Sequence, residues 1–256
     1  MRRSVGSRIR DGECCFGLSV VLPCPQVIEL AALAGYDFVR IDWEHAMFGE
    51  EKLRELLTTA RLLKMPCQVR IPDLHGVTRI LGQEPSGLML PHVESGEEAA
   101  AIVDACRFAP LGRRGMDGNT RDMRCGGMPR AEYMETAEEN LDLIVQIESR
   151  KAMERIDEIL SAEGIDMAAT GRADLSQELG VPGEKDHPDV VCAENLIIRK
   201  TLERGKIPAI AADSPKRVRE LYEMGVRCFL TGKDEALLAK GMKEKIRIIR
   251  DSVPLL

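Results

Sequence analysis

The segment Asp42-Trp43-Glu44-His45 sets two carboxylates and an imidazole side by side behind a short apolar run. Arg70 and Glu148 are charged residues inside two further apolar runs, and Asp174 follows a fourth. Glu148 and Asp174 are hard oxygen ligands with no thiolate or imidazole beside them. Such a pair suits Mg²⁺ or Mn²⁺, ions that keep several exchangeable waters. A 2-oxo acid could replace two of those waters through its carboxylate and keto oxygen. The ion would then draw electrons from the carbonyl and stabilise an enolate at the adjacent carbon. Arg70 would present a permanent planar cation to the developing oxyanion. His45, an imidazole that titrates near neutrality, could move the proton directly or through a metal-bound water. Lys233 offers a rival imine route, but its place between glycine and aspartate reads as a solvated loop. His92 reads equally as a substrate contact or a structural residue, and His75 and His187 as loop residues.

These groups share a position in the chain pattern. Short apolar runs at 16–22, 37–42, 66–71, 87–91, 143–148, 165–170, 207–211 and 227–231 read as strands. Helical spacing separates several of them. Leu53, Leu56, Leu57, Ala60 and Leu63 mark a helix over 50–64, and Ser95 with Glu98 forms a capping box for one reaching 105. Segments 189–204 and 235–249 also read as helices. So does the segment opened by Ser214-Pro215, running to Met224 and closed by Gly225. Eight such alternations in 256 residues predict a (β/α)8 barrel of TIM type, one domain spanning 1–256. Pro-Cys-Pro after the first run carries no glycine fingerprint for an open dinucleotide-binding sheet. In a barrel, reactive groups come from the carboxyl ends of strands, which is where Asp42, Arg70, Glu148 and Asp174 fall. Asp213 and Asp234 follow the last two runs. The stretch 108–130, rich in glycine and arginine, predicts a long loop with a function or mobility of its own.

Composition narrows the partners. A net charge of −6 argues against a nucleic-acid face, and no apolar run has the length of a membrane span. The first residues carry arginines without a following apolar stretch, unlike a secretory signal. Eight scattered cysteines with no C-x-x-C pair read as reduced and structural, which places the chain in the cytoplasm.

With their surroundings, these residues resemble the HpcH/HpaI family of metal-dependent pyruvate-type aldolases over nearly the whole chain. The segments that carry the resemblance are GYDFVRIDWEHAMF, PCQVRIP, SGLMLPHVESGEEA, FAPLGRRG, LIVQIES, TGRADLSQELGVPG with DHPDV, and GKIPAIAADSP. The resemblance implies that His45 is the general base and Arg70 the oxyanion-binding arginine. Glu148 and Asp174 become ligands of a divalent cation (Mg²⁺, Mn²⁺ or Co²⁺). Gln146 would line the oxo-acid pocket, and the backbone of Gly171, Arg172 and Ala173 would hold the substrate carboxylate. The expected reaction splits or forms a 4-hydroxy-2-oxo acid from an aldehyde and a pyruvate-type enolate. The expected assembly is a homo-hexamer, a trimer of dimers that exchange their last helix. An oxaloacetate-type decarboxylase needs the same enolate, and a barrel that binds metal or oxo acid without turnover is a further alternative.

Three positions depart from the family pattern. Gly82 stands where an acid that assists the histidine is common, with Glu84 as the nearby substitute. Arg172 replaces a proline, so its cation either meets an extra anionic group of the substrate or points to solvent. Trp43, the only tryptophan, sits where smaller residues are common.

Overall fold

A computed structural model describes residues 3–116, 121 and 123–253. Eight parallel strands close in sequence order. They are β1 (Cys15–Val20), β2 (Phe38–Asp42), β3 (Cys67–Arg70), β4 (Gly87–Leu90), β5 (Asp142–Ile147), β6 (Met167–Thr170), β7 (Ile207–Ala211) and β8 (Cys228–Lys233). The predicted barrel is therefore the fold. The helices begin with α1 (Val5–Arg10), α2 (Pro25–Leu33), α3 (Glu50–Leu62), α4 (Val77–Leu81), α5 (Gly96–Cys106) and α6 (Arg130–Glu139). They continue with α7 (Arg150–Glu154), α8 (Ile156–Ser161), α9 (Arg172–Glu178), α10 (Pro188–Glu203), α11 (Pro215–Glu223) and α12 (Asp234–Asp251). No helix among the described residues is long and apolar enough to cross a membrane.

The period of two along each strand divides the core. Val39, Ile41, Val69, Leu88, Leu143, Val145 and Ile147 face outward into the large cluster under α3, α5 and α8. Phe38, Met89, Ile144, Met167, Ala169 and Ala209 face inward and fill the barrel together with Val5 of α1. The same alternation turns Asp42, Arg70 and Gln146 inward as their strands end. At the amino end Ser4 caps α1, and its hydroxyl donates to buried Asp142 at 2.8 Å, while the Gly6 N–H donates to the other oxygen at 2.9 Å. One turn of helix thereby plugs the barrel floor.

Several boundaries moved for identifiable reasons. The first strand stops at Val20, two residues short of the expected end, because the Val21 and Leu22 N–H groups donate to the Asp234 carboxylate. Asp234 thus ties the start of α12 to β1. Lys233, expected in a loop, is the last residue of β8 and pairs with Glu235 at 2.9 Å. His187 caps α10, its ring accepting from the Asp189 N–H at 3.2 Å, so it is more than a loop residue. The predicted helix caps at Ser95 and Ser214 are present, each hydroxyl accepting an N–H three residues on. Within the predicted loop 108–130, residues 117–120 and 122 lie outside the described residues, as do residues 1 and 2 of the amino-terminal segment. All eight cysteines are free thiols, and Cys15, Cys67, Cys106 and Cys228 are buried.

Candidate active site

Asp42, the last residue of β2, is buried and accepts from Arg70 Nε at 3.1 Å, with Arg70 Nη2 on its second oxygen. Burial works to raise the Asp42 pKa. The Arg70 guanidinium and the His45 N–H outweigh it and hold the carboxyl below its ordinary value. The chain then turns back on this carboxylate, because the His45 N–H donates to Asp42 Oδ1 at 3.2 Å. Arg70 Nη2 also donates to His45 Nδ1 at 2.8 Å. That bond requires Nδ1 to be bare, so the imidazole proton sits on Nε2 and the ring is held by a cation on one side only. The opposite edge of the ring is open, its side chain 63% exposed.

Glu44 joins this group to the next. Its Oε2 lies 3.1 Å from Arg70 Nε and 3.3 Å from His45 Nδ1, while Oε1 faces His92 Nε2 at 3.4 Å. His92 follows β4 in a left-handed backbone conformation, φ 54°, uncommon for a residue with a side chain. In that conformation both its N–H (2.9 Å) and its Nδ1 (3.0 Å) meet Glu148 Oε1. Glu148 stands one residue past β5 and is 2% exposed. Its other oxygen accepts from Gln146 Nε2. Burial pushes the Glu148 carboxyl above its ordinary pKa; the His92 contacts oppose the shift and the charge of Asp174 reinforces it. Asp174, in the first turn of α9, is therefore within electrostatic reach of Glu148.

Gly171 makes this approach sterically feasible. A Cβ there would fall 2.3 Å from Glu148 Oε2 and 2.8 Å from Gln146 Nε2. The turn into α9 can pass Glu148 only because position 171 has no side chain. The Arg172 side chain is taken up by two carboxylates. Its Nη2 meets Asp186 at 3.0 Å and its Nε lies 3.8 Å from Glu194, a carboxylate fully buried in α10. Glu194 also takes Arg217 Nη2 at 2.5 Å and the Thr170 hydroxyl at 3.1 Å. Glu84, the substitute considered for the missing acid, lies in the turn that leads into β4. It faces Arg61 at 3.6 Å at the amino end of the barrel, whereas His45 is at the carboxyl end. Among the described residues the acids beside His45 are Asp42 and Glu44. Position 82 itself is an ordinary right-handed helix end with no close neighbour for a Cβ.

Among the described residues of this site two places could accept a cation. Asp42, Glu44 and His45 bring three ligand atoms within 4.8 Å of one another. Arg70 already occupies the space between them, and a second cation there would face its full charge. Among the described residues Glu148 meets no arginine or lysine, only His92 and Gln146. A buried carboxylate that holds its proton too tightly beside a second acid is the arrangement a divalent ion relieves. Gln146 Oε1, buried and without a hydrogen-bond partner, adds an unmet acceptor at the same spot. These residues fit a metal site. Beneath them Arg40, buried in the barrel interior, donates to Gln68 Oε1 at 2.8 and 3.0 Å, and burial lowers its proton affinity. This fixed charge inside the barrel was missed from the sequence, as were the linking roles of Glu44 and His92.

The HpcH/HpaI aldolase/citrate lyase family model matches residues 16–238, nearly the whole barrel. The chain belongs to the HpcH/HpaI aldolase/citrate lyase family. It is accordingly a carbon–carbon lyase. The 2-keto-3-deoxy-L-rhamnonate aldolase of Escherichia coli strain K12 is 31% identical, over 95% of this chain and 91% of its own. The hydroxypyruvate/pyruvate aldolase of Pseudomonas aeruginosa is 33% identical, over 93% and 89%. Among solved structures, an HpcH/HpaI aldolase from Desulfitobacterium hafniense DCB-2 superposes with a TM-score of 0.91 at 27% identity, covering 98% of each chain. The citrate synthase SbnG gives 0.90 at 28%, covering 97% of this chain and 98% of its own.

Proposed function

We propose that this family member is a divalent-metal-dependent aldolase that cleaves or forms a 4-hydroxy-2-oxo acid, with a pyruvate-type fragment on one side and an aldehyde on the other. The observation that carries the reading is the polar chain Asp42–Arg70–Glu44–His92–Glu148 at one end of the barrel, with His45 held on Arg70. It puts a fixed cation and an open imidazole next to the pair of acids. The aldolase names of two relatives, both describing oxo acids, support the substrate class.

In this reading Glu148 and Asp174 hold the metal, Mg²⁺, Mn²⁺ or Co²⁺. When bound there, the metal supplies a positive charge that draws electron density from the keto oxygen of a chelated 2-oxo acid. Arg70, pinned by Asp42, faces the charge that grows on that oxygen as the carbon–carbon bond breaks. Asp42 and Glu44 keep the guanidinium in place. When Arg70 turns its Nη2–H from His45 Nδ1 to the substrate oxygen, the freed Nδ1 lone pair can take the proton of the substrate 4-hydroxyl in cleavage and return it in synthesis. Gln146 and the backbone of Gly171, Arg172 and Ala173 seat the substrate carboxylate. The Arg172 side chain anchors that turn to Glu194 and Asp186, which assigns it a positioning role and leaves no free cation for an extra anionic group.

The active form in this reading is a homo-oligomer of single-domain barrels in the cytoplasm, a hexamer built as a trimer of dimers. Helix α12 supports it. Only Asp234 of its eighteen residues is buried, and Leu238, Met242, Ile246 and Ile249 form an exposed apolar stripe. On the barrel wall Phe16 of β1, stacked on Phe229, is part-exposed. A helix that leaves its own barrel and a barrel wall that lacks cover are what an exchange of last helices between subunits requires.

The test is proton exchange into pyruvate in D₂O with Mg²⁺ or Mn²⁺, read by NMR, beside direct calorimetry of Mn²⁺ binding. Glu148→Gln and Asp174→Asn should each abolish exchange and weaken Mn²⁺ binding. Arg70→Ala should slow exchange on the order of 10²-fold while leaving Mn²⁺ binding intact. Exchange that survives chelation of all divalent ions would reject the metal route, and borohydride trapping at Lys233 would replace it with imine chemistry.

A further inference from the structure

The amino end of the barrel holds a cavity of about 680 Å³ that the lyase site does not use. Its floor is made by residues leading into three neighbouring strands, Pro66 before β3, Ser86 before β4 and Leu141 before β5. Within the chain it is therefore opposite His45 and Glu148. Helices α1 and α6 and the turns after α3 and α4 form its walls. Among the described residues seven cationic side chains line it, against two carboxylates, Glu13 and Glu84. The whole protein carries a net charge of −6, so this local excess is a departure from its surface average.

Part of that positive charge, on Lys64, Arg121 and Arg124, meets no carboxylate among the described residues. Arg3 pairs with Asp11 and lies 3.7 Å from Glu13, and Arg8 pairs with Glu13 at 2.7 Å and Asp37 at 2.8 Å. Arg61 Nε is buried without a hydrogen-bond partner, and Glu84 stands 3.6 Å from it, beyond hydrogen-bond reach. Arg121 donates to a neutral group, the Thr58 hydroxyl, at 3.0 Å. Lys64 and Arg124 are exposed on the wall. A second, independent feature marks the same place. Among the described residues five that are not glycine have left-handed backbone; Lys64 (φ 56°), Glu84 (φ 61°) and Arg124 (φ 52°) line this cavity, and Cys125 (φ 53°) adjoins it. The fifth is His92, in the lyase site. Residues held in such conformations gather where a ligand is gripped.

We propose that this cavity is a second ligand site, one that takes a small molecule carrying two or more phosphate groups. Guanidinium forks match phosphate oxygens two at a time, and several of them around one space call for several anionic groups. The volume is that of a small-molecule pocket, which ranges over roughly 300–1,000 Å³. Tyr133, Thr136 and Asn140 supply neutral polar groups for the rest of the ligand. A lone carboxylate could not match Lys64, Arg121 and Arg124 together.

The test is calorimetric titration of the full chain, at constant ionic strength, with fructose 1,6-bisphosphate as a weakly chelating probe. Glucose 6-phosphate and citrate serve as comparators. Saturable binding of the bisphosphate, one per chain and at least tenfold tighter than the monophosphate or citrate, is expected. The double variant Lys64→Gln/Arg124→Gln should weaken it by about tenfold or more. Arg121→Gln, which removes only an exposed contact to Thr58, should act in the same direction, and Arg70→Gln should leave binding unchanged. Absence of saturable binding overturns the proposal, as does citrate binding as tightly as the bisphosphate. Loss of binding in Arg70→Gln but not in the cavity variants would place the anion in the lyase site and overturn it too.

Discussion

Replacing Asp142 by asparagine tests the account of the barrel floor through a pH signature. Asp142 is 1% exposed, and its two oxygens take the Ser4 hydroxyl and the Gly6 N–H, which fasten α1 across the amino end. Burial, with Asp166 nearby adding to it, pushes its pKa from 3.8 to about 6 despite those two donors. The folded protein therefore holds this proton more tightly than the unfolded chain. Its contribution to stability is fully present below about pH 4 and is lost as pH rises through about 6. A displacement of about two pKa units corresponds to about 3 kcal/mol in full, of which about 2 kcal/mol falls between pH 4.5 and 8. Asparagine fills the same volume, can still accept from Gly6, and does not titrate. The quantity to measure is the unfolding midpoint of each protein at several pH values, by thermal scanning and urea titration. Subtracting the variant's curve from the wild type's removes the titration of all other groups, except for coupling to Asp166. The variant should gain on the wild type by about 2 kcal/mol from pH 4.5 to 8, or about 4–8 °C for a domain of this size. Parallel curves would mean that the Asp142 carboxyl titrates normally. A variant that loses ground as pH rises would reverse the sign and refute the argument.

Gly171→Ala keeps an allowed backbone, since φ is −109°, but drives a methyl to within 2.3 Å of Glu148 Oε2. It should weaken Mn²⁺ binding by roughly 10–100-fold, the range for displacing a ligand's supporting group, while the unfolding midpoint falls only a few degrees. Unchanged Mn²⁺ affinity would show that Glu148 is not a ligand. Leu238→Glu with Met242→Glu should reduce the mass measured by light scattering to that of smaller species, because charges would enter the stripe on α12. An unchanged mass would exclude that stripe as an interface.

The carboxyl end of the barrel was legible because two independent patterns coincide there. Short apolar runs locate the strands, and any charge at the end of a run falls on the rim where barrel loops converge. Asp42, Arg70 and Glu148 were readable on that rule. Gln146, two positions before Glu148, shares its inward face by the period of two. What links them was not readable. The bridge from Glu44 to Glu148 depends on His92 adopting a left-handed backbone, and nothing in Leu-Pro-His-Val announces it. Arg40 could have been found, since a cation in the middle of Phe-Val-Arg-Ile-Asp must face the barrel interior if Val39 and Ile41 face the helices. Glu194 could not: in a helix that is amphipathic with scattered charges, a buried glutamate reads like a surface one until Arg217 and Arg172 are seen around it.

The amino end was illegible for a structural reason. Its residues come from the returns between helix and strand, and their positions slide with helix length, so no fixed offset from an apolar run identifies them. Glu84 shows the consequence. Counting from the family pattern made it a neighbour of His45, yet it lies in the turn before β4, and a turn before a strand is at the opposite end from a residue after one. The same geometry explains the basic cavity. Arg61, Lys64, Arg121 and Arg124 are spread over more than sixty positions and alternate with ordinary helix-surface residues, so they read as solvent-facing charge. Closing the sheet brings the exits of α3 and α4 together with the entry to β5, and only then do dispersed surface arginines become one concave cationic wall. The described residues thus set an arginine-rich cavity at one end of the barrel and the Glu148 and Asp174 site at the other. In this chain the strands themselves are the connection, since β3 and β4 run from Pro66 and Ser86 at the cavity to Arg70 and His92 at the lyase site.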